Sequence, residues 1–193
     1  ENKKFLYQTV KPGARAREYE DALNWLNSAG LVHKVYRNTK PGLPMASYDD
    51  LSAFKLYLYD VGLLRRMSFL DPVAIREGNR LFVEFKGALA ENYILQSIVN
   101  QFEGTPRYWT SGNMAEVDFL IPYRNQIIPA EVKSGENIKG KSLAWYQKLF
   151  NPPVRIRYSL QNLRFNSGLL NIPLFLADHT RRYLDLILQE PEG

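Results

Sequence analysis

Apolar and polar residues alternate with a period of two along one stretch of this chain. Val117, Phe119 and Ile121 interleave with Glu116, Asp118 and Leu120, and beyond Tyr123-Arg124-Asn125-Gln126 the residues Ile128, Ala130 and Val132 interleave with Pro129, Glu131 and Lys133. Strand side chains point to opposite faces in turn, so the pattern predicts a hairpin about a two-residue turn at Arg124-Asn125. In that register Ile121 pairs with Ile128, Phe119 with Ala130 and Val117 with Val132, and this apolar face lies on a core. The other face then sets Asp118 opposite Glu131, and Glu116 opposite Lys133.

The remaining pattern surrounds the hairpin with helices and strands. Tyr19, Ala22, Leu23, Leu26 and Ala29 recur at three- and four-residue spacing, which predicts a helix over 14–29 ended by Gly30. A strand is expected at 31–37, a turn at Pro41-Gly42, a strand at 54–59, and a helix at 61–67 capped by Asp60. A longer helix over 81–102 carries Ala88, Leu95, Ile98 and Phe102 on one stripe, with Glu91 on that same stripe. Then follow a strand at 107–110, the hairpin, a helix at 141–150 that stops before Pro152-Pro153, strands at 154–158 and 172–176, and a helix at 180–188. No internal repeat is present.

Composition narrows the class. The 193 residues are 45% hydrophobic and 13% aromatic, which suits a folded chain with a substantial core. No apolar run reaches the roughly 18–20 residues needed to cross a bilayer, so no membrane partner is expected. Cysteine is absent, which excludes disulfides and suits a cytoplasmic setting. His33 and His179 stand far apart, so neither a structural zinc site nor a serine or cysteine triad has its components. The net charge of +5 favours a polyanionic partner, DNA being the expectation. Residues 1–47 carry eight Lys/Arg against four Asp/Glu, which suits either a DNA-reading face or a plain solvated one.

Two carboxylates facing each other across a hairpin repel, at a cost of up to about 1 kcal/mol. A hard divalent cation converts that repulsion into a site, because Mg2+ takes carboxylate oxygens at about 2.0–2.1 Å. Asp118 and Glu131, with Glu91 as a third carboxylate, are therefore candidate ligands for Mg2+ or Mn2+. Such ions polarise a phosphodiester and acidify a bound water. Lys133 lies two residues from Glu131 and so points at the same site, placed to position a nucleophile or balance charge. The alternative for Lys133 is a cross-strand ion pair with Glu116, and for the whole group a structural ion cluster. Lys139 and Lys141, before and at the start of the following helix, and Arg15 and Arg17, at the start of the first, are candidate phosphate contacts.

The order helix, strand, hairpin, helix, strand is similar to the αβββαβ core of the restriction-endonuclease-like α/β fold. Asp118, followed after twelve residues by Glu131-Val132-Lys133, resembles its PD-(D/E)XK signature, although no proline precedes Asp118. Four segments sharpen the resemblance: 54–64, Ala90-Glu91-Asn92, Glu116-Val117-Asp118-Phe119, and 131–135. Together they resemble the C-terminal region of a prokaryotic AAA+ ATPase family, the domain of unknown function 4143, which is itself similar to PD-(D/E)XK nucleases. The resemblance implies a partial winged-helix segment over 1–50 and a nuclease-like domain over 51–193. It also implies an ATPase domain outside this chain as partner, with ATP bound only there. Glu91, Asp118, Glu131 and Lys133 then hold the nuclease-like positions. Two functions fit: Mg2+-dependent cleavage of DNA, or a catalytically silent domain that docks the ATPase on DNA or on another protein.

Overall fold

A single mixed sheet of eight strands organises the chain, in the order β2-β1-β3-β4-β5-β6-β8-β7. The computed structural model describes residues 3–6, 12, 15–69, 80–112, 114–135 and 140–188, with the side chains of 16, 17 and 80–84 left out. The strands are β1 (Val32–Asn38), β2 (Asp49–Leu58), β3 (Arg107–Thr110), β4 (Glu116–Tyr123), β5 (Gln126–Val132), β6 (Arg155–Ser159), β7 (Arg164–Asn166) and β8 (Leu169–Pro173). The helices among the described residues are α1 (Ala16–Ser28), α2 (Val61–Met67), α3 (Arg80–Ile98), α4 (Lys141–Phe150) and α5 (Thr180–Ile187).

Local chemistry accounts for the boundaries. Gly30 takes a positive φ of 70° after α1, and the Leu31 N–H returns to the Leu26 carbonyl at 3.0 Å, closing the helix as a glycine at this position does. The Asp60 carboxylate accepts the Leu63 N–H at 2.8 Å and caps α2, as expected. Left-handed Asn151 ends α4 ahead of the two prolines. The expected strand at 172–176 instead begins at Leu169 and gives way after Pro173 to a 3-10 turn over Leu174–His179. Strand β7 was not anticipated. It joins β8 through Ser167 and Gly168, both at positive φ, the twist that suits a tight hairpin.

The sheet runs on across the boundary expected near residue 50. Strand β2 pairs with β1 antiparallel, and β1 pairs with β3 parallel, so the first elements share one sheet with the strands that follow residue 50.

Two cores form. On one face Ile94, Leu95 and Ile98 of α3 pack with Phe119, Ile121, Ile128, Ala130, Ile156 and Ile172, together with Leu184 of α5. Side chains of this size each contribute about 1.5–3 kcal/mol on full burial. The second core joins Leu143 and Tyr146 of α4 to Trp109, Val117 and Leu120.

Candidate functional site

The hairpin has the expected register along its apolar half: Ile121 pairs with Ile128 and Phe119 with Ala130, about a turn in which Arg124 has φ 53°. Beyond that point the expectation fails. Strand β4 carries one extra residue against β3, because Arg107 pairs with Leu120 while Trp109 pairs with Val117. Such a bulge swings the following side chains to the opposite face. Val117 therefore joins Leu120 in the second core instead of pairing with Val132. Glu116 pairs with Thr110 on β3 and its carboxylate meets the Lys55 ammonium, so it does not face Lys133.

What the bulge creates is a pocket of mixed charge. Asp118, Glu131 and Lys133 line one cleft of about 340 Å³ together with Glu116 and Ser142. Lys133 Nζ lies 2.8 Å from Glu131 Oε1. One oxygen of Asp118 accepts the Val132 N–H at 2.8 Å, a bond that a neighbouring strand would otherwise make. Glu131 Oε2 is buried without a hydrogen-bond partner among the described residues.

Glu91 lies behind this cleft, buried on α3, although its place on the stripe equally suited a partly exposed edge position. Its Oε2 accepts the Tyr57 hydroxyl at 3.2 Å and lies 3.9 Å from Lys55 Nζ. Its neighbour Asn92 clamps β2, accepting the Leu58 N–H and donating to the Leu58 carbonyl.

Lys55 is the site residue that sequence reasoning missed. It is 1% exposed, its ammonium sits 5.2 Å from the centre of the Tyr108 ring, and it faces Glu91 and Glu116. Burial alone would lower its pKa, yet the Asp118, Glu91 and Glu116 carboxylates hold it above the usual lysine value. Asp118 shifts the other way for a carboxyl: burial, then the charge of Glu91, pushes its pKa up to about 8, against the pull of Lys55 and the Val132 N–H. With all ionised, four carboxylates against two ammonium groups leave the cluster two negative charges.

Of the four candidate phosphate contacts, the side chains of Lys141 and Arg15 are described. Lys141 is exposed at the first residue of α4, next to Ser142 of the cleft. Arg15 is exposed ahead of α1, which packs on β1, and does not line the cleft. Lys139 and the Arg17 side chain lie outside the described residues. In the basic first segment Lys34 is buried against Glu20 and Asn24, and Arg37 is paired with Asp50.

Gly135-Glu136-Asn137-Ile138-Lys139-Gly140-Lys141-Ser142 fits the pattern GxxxxGK[ST], between a strand and a helix, where phosphate loops occur. Its second glycine has a different neighbour here. A Cβ at Gly140 would come 2.6 Å from Glu131 Oε2 and 2.7 Å from Arg157 Nη2. The glycine thus lets the start of α4 approach the Glu131 carboxylate, an anion where a phosphate loop would hold a phosphate.

Comparisons with known proteins agree with the family resemblance in part. Residues 86–177 match the model of a family described as a domain of unknown function, DUF4143, and residues 1–74 match a second such domain, DUF8612. No curated protein matches the chain. A crystal structure of protein VC1899 from Vibrio cholerae is 15% identical at a TM-score of 0.31, the match covering 96% of this chain and 46% of that one. The chain thus spans about half the length of that structure. Among the described residues no helix is long and apolar enough to cross a membrane, and no group of three or more His, Cys, Asp or Glu is disposed to hold a metal.

Proposed function

We propose that this chain is a nuclease-like module that hydrolyses phosphodiester bonds in DNA with Mg2+ or Mn2+, acting in the cytoplasm beside an AAA+ ATPase domain that supplies ATP hydrolysis. The observation that carries this reading is the buried Glu131 Oε2, without a hydrogen-bond partner among the described residues, in the same cleft as Asp118. The element order α3-β3-β4-β5-α4-β6 supports a restriction-endonuclease-like core.

The donor set fits a magnesium ion held by two carboxylates, since Mg2+ commonly takes one or two protein carboxylates and fills its remaining positions with water and substrate phosphate. Asp118 and Glu131 are those two. When bound, the ion polarises the phosphodiester and acidifies water. Glu91, engaged by Tyr57 and Lys55, sets the charge around Asp118 from behind. Lys133, in contact with Glu131, holds the Glu131 carboxylate in place and offers positive charge to a transition state.

A second reading has its own observation. Lys55 already places an ammonium among the carboxylates, which suits a self-neutralised, catalytically silent domain that only docks on DNA or protein. Supercoiled plasmid with Mg2+ or Mn2+ separates the two. The nuclease reading expects nicking by the wild type and its loss in Asp118→Ala and Lys133→Ala. No nicking by the wild type, or nicking that persists in both variants, overturns it.

A further inference from the structure

A cavity of about 930 Å³, lined by other residues than the acid cleft, lies on the same side of the sheet as α4. Arg155, Arg157 and Arg164 line it with Gln161, Asn162 and Asn166, and among the described residues no carboxylate does. Three guanidinium groups collected in one concavity repel one another, which favours an added anion; the strand register brings the Glu131 carboxylate beside Arg157 only. Arg155 and Arg157 project from the same face of β6, because the alternate residues Ile156 and Tyr158 belong to the main core. Burial and the Arg157 charge both disfavour the Arg155 cation. The Nε atoms of Arg155 and Arg157 are buried and make no hydrogen bond among the described residues. Neither arginine has a carboxylate partner in those residues; Arg155 Nη2 donates only to the Ser167 carbonyl, at 2.6 Å.

Strand register ties this cavity to the acid cleft. Glu131 on β5 stands beside Arg157 on β6, Arg157 beside Asn171 on β8, and Asn171 beside Arg164 on β7. Adjacent strands lie about 4.8 Å apart, so acid, arginine, amide and arginine form one transverse row across the sheet. Asn171 is committed to holding the rim, donating to the Gln161 and Asn162 carbonyls. The space is large for a single phosphate group, falling at the upper end of the range for a drug-sized ligand of about 300–1,000 Å³. Exposed Leu160 and Leu163 add an apolar rim on which sugars or bases can rest.

We infer that this cleft is a nucleic-acid strand site: Arg155, Arg157 and Arg164 hold successive backbone phosphates of a strand whose next phosphate reaches Glu131 and Asp118. The inference extends the nuclease reading by naming the groove that would feed it. A basic groove that tracks the backbone is one of the features by which proteins hold single strands.

The test is fluorescence anisotropy of the full chain with a labelled single-stranded oligonucleotide in EDTA, across a salt series. Wild type should bind at low salt. Arg155→Gln, Arg157→Gln and Arg164→Gln should each weaken binding roughly tenfold and reduce the salt slope by about one, as loss of a phosphate contact does. Arg157→Lys should keep most of the slope. Arg164 lies on an exposed edge strand, so its variant reports on the cleft even where Arg157→Gln fails to fold. Glutamine variants that fold and bind like wild type, or a wild type that does not bind at all, overturn the cleft. Since EDTA removes the metal, a wild type that binds through these arginines but never nicks plasmid supports the cleft and overturns only the nuclease reading.

Discussion

Asp118 and Val132 are joined side chain to backbone: the Asp118 carboxylate accepts the Val132 N–H at 2.8 Å, at the point where β4 has stopped pairing with β5. The acid thus has two jobs, closing the end of the sheet and facing the cleft. Asparagine at this position keeps an acceptor and removes the charge; alanine removes both. Asp118→Ala should therefore be less stable than Asp118→Asn by about 1–3 kcal/mol, the cost of leaving a buried N–H unpaired. Denaturant unfolding of the pair checks this, and equal midpoints would mean that the bond does not matter.

The raised Asp118 pKa fixes a sign for the pH dependence. Between the ordinary value of 3.8 and about 8 the folded protein keeps a proton that the unfolded chain has released. Stability in EDTA should then fall as pH rises through that window, and Asp118→Asn should flatten this slope. Magnesium requires the ionised form, so its affinity should rise with pH over the same range. Unfolding midpoints at pH 5 and pH 8, with calorimetric Mg2+ titrations at both, test the pair of statements. A variant with the same pH slope as wild type would show that Asp118 is not the group responsible.

Lys55 should be the most sensitive charge in the protein. Replacing it by methionine removes the ammonium 3.9 Å from the buried Glu91 carboxylate, and breaking a buried pair in this way costs about 3–5 kcal/mol. Chemical denaturation of Lys55→Met reads the loss directly. A change below 1 kcal/mol would mean that the ammonium is dispensable to the fold.

The cap on α2 supplies a smaller, independent check. Asp60→Ala removes the acceptor for the Leu63 N–H, and loss of such a cap costs about 1 kcal/mol. Thermal unfolding that leaves the midpoint unchanged would argue that Gln96, which accepts the Val61 N–H at 2.9 Å and donates to Asp60 at 3.3 Å, holds this junction without it.

Much of the hairpin was legible because burial of one face enforces the two-residue period: Phe119 and Ala130 could pair in no other register without exposing the core. Helices α2 and α4 were equally legible from Asp60 and from Pro152-Pro153. The bulge in β4 was not, since it depends on how β4 pairs with Trp109 of β3, which alternation within β4 cannot specify. Lys55 was hidden for the same reason. Its strand read as an alternating segment, and only the order β2-β1-β3-β4 brings it to Glu116 and Glu91. The arginines of β6 were visible as alternating charges, but their meaning came only with β7 and β8 beside them. The Ser167-Gly168 turn that creates that neighbourhood is a short polar pair that did not stand out among loop residues.

The direct test of the central claim is anomalous diffraction from crystals soaked in Mn2+. The account predicts a peak in the cleft contacted by both Asp118 and Glu131, and no such peak in Asp118→Asn. Wild-type crystals with no peak there, or with manganese bound only elsewhere, would contradict it.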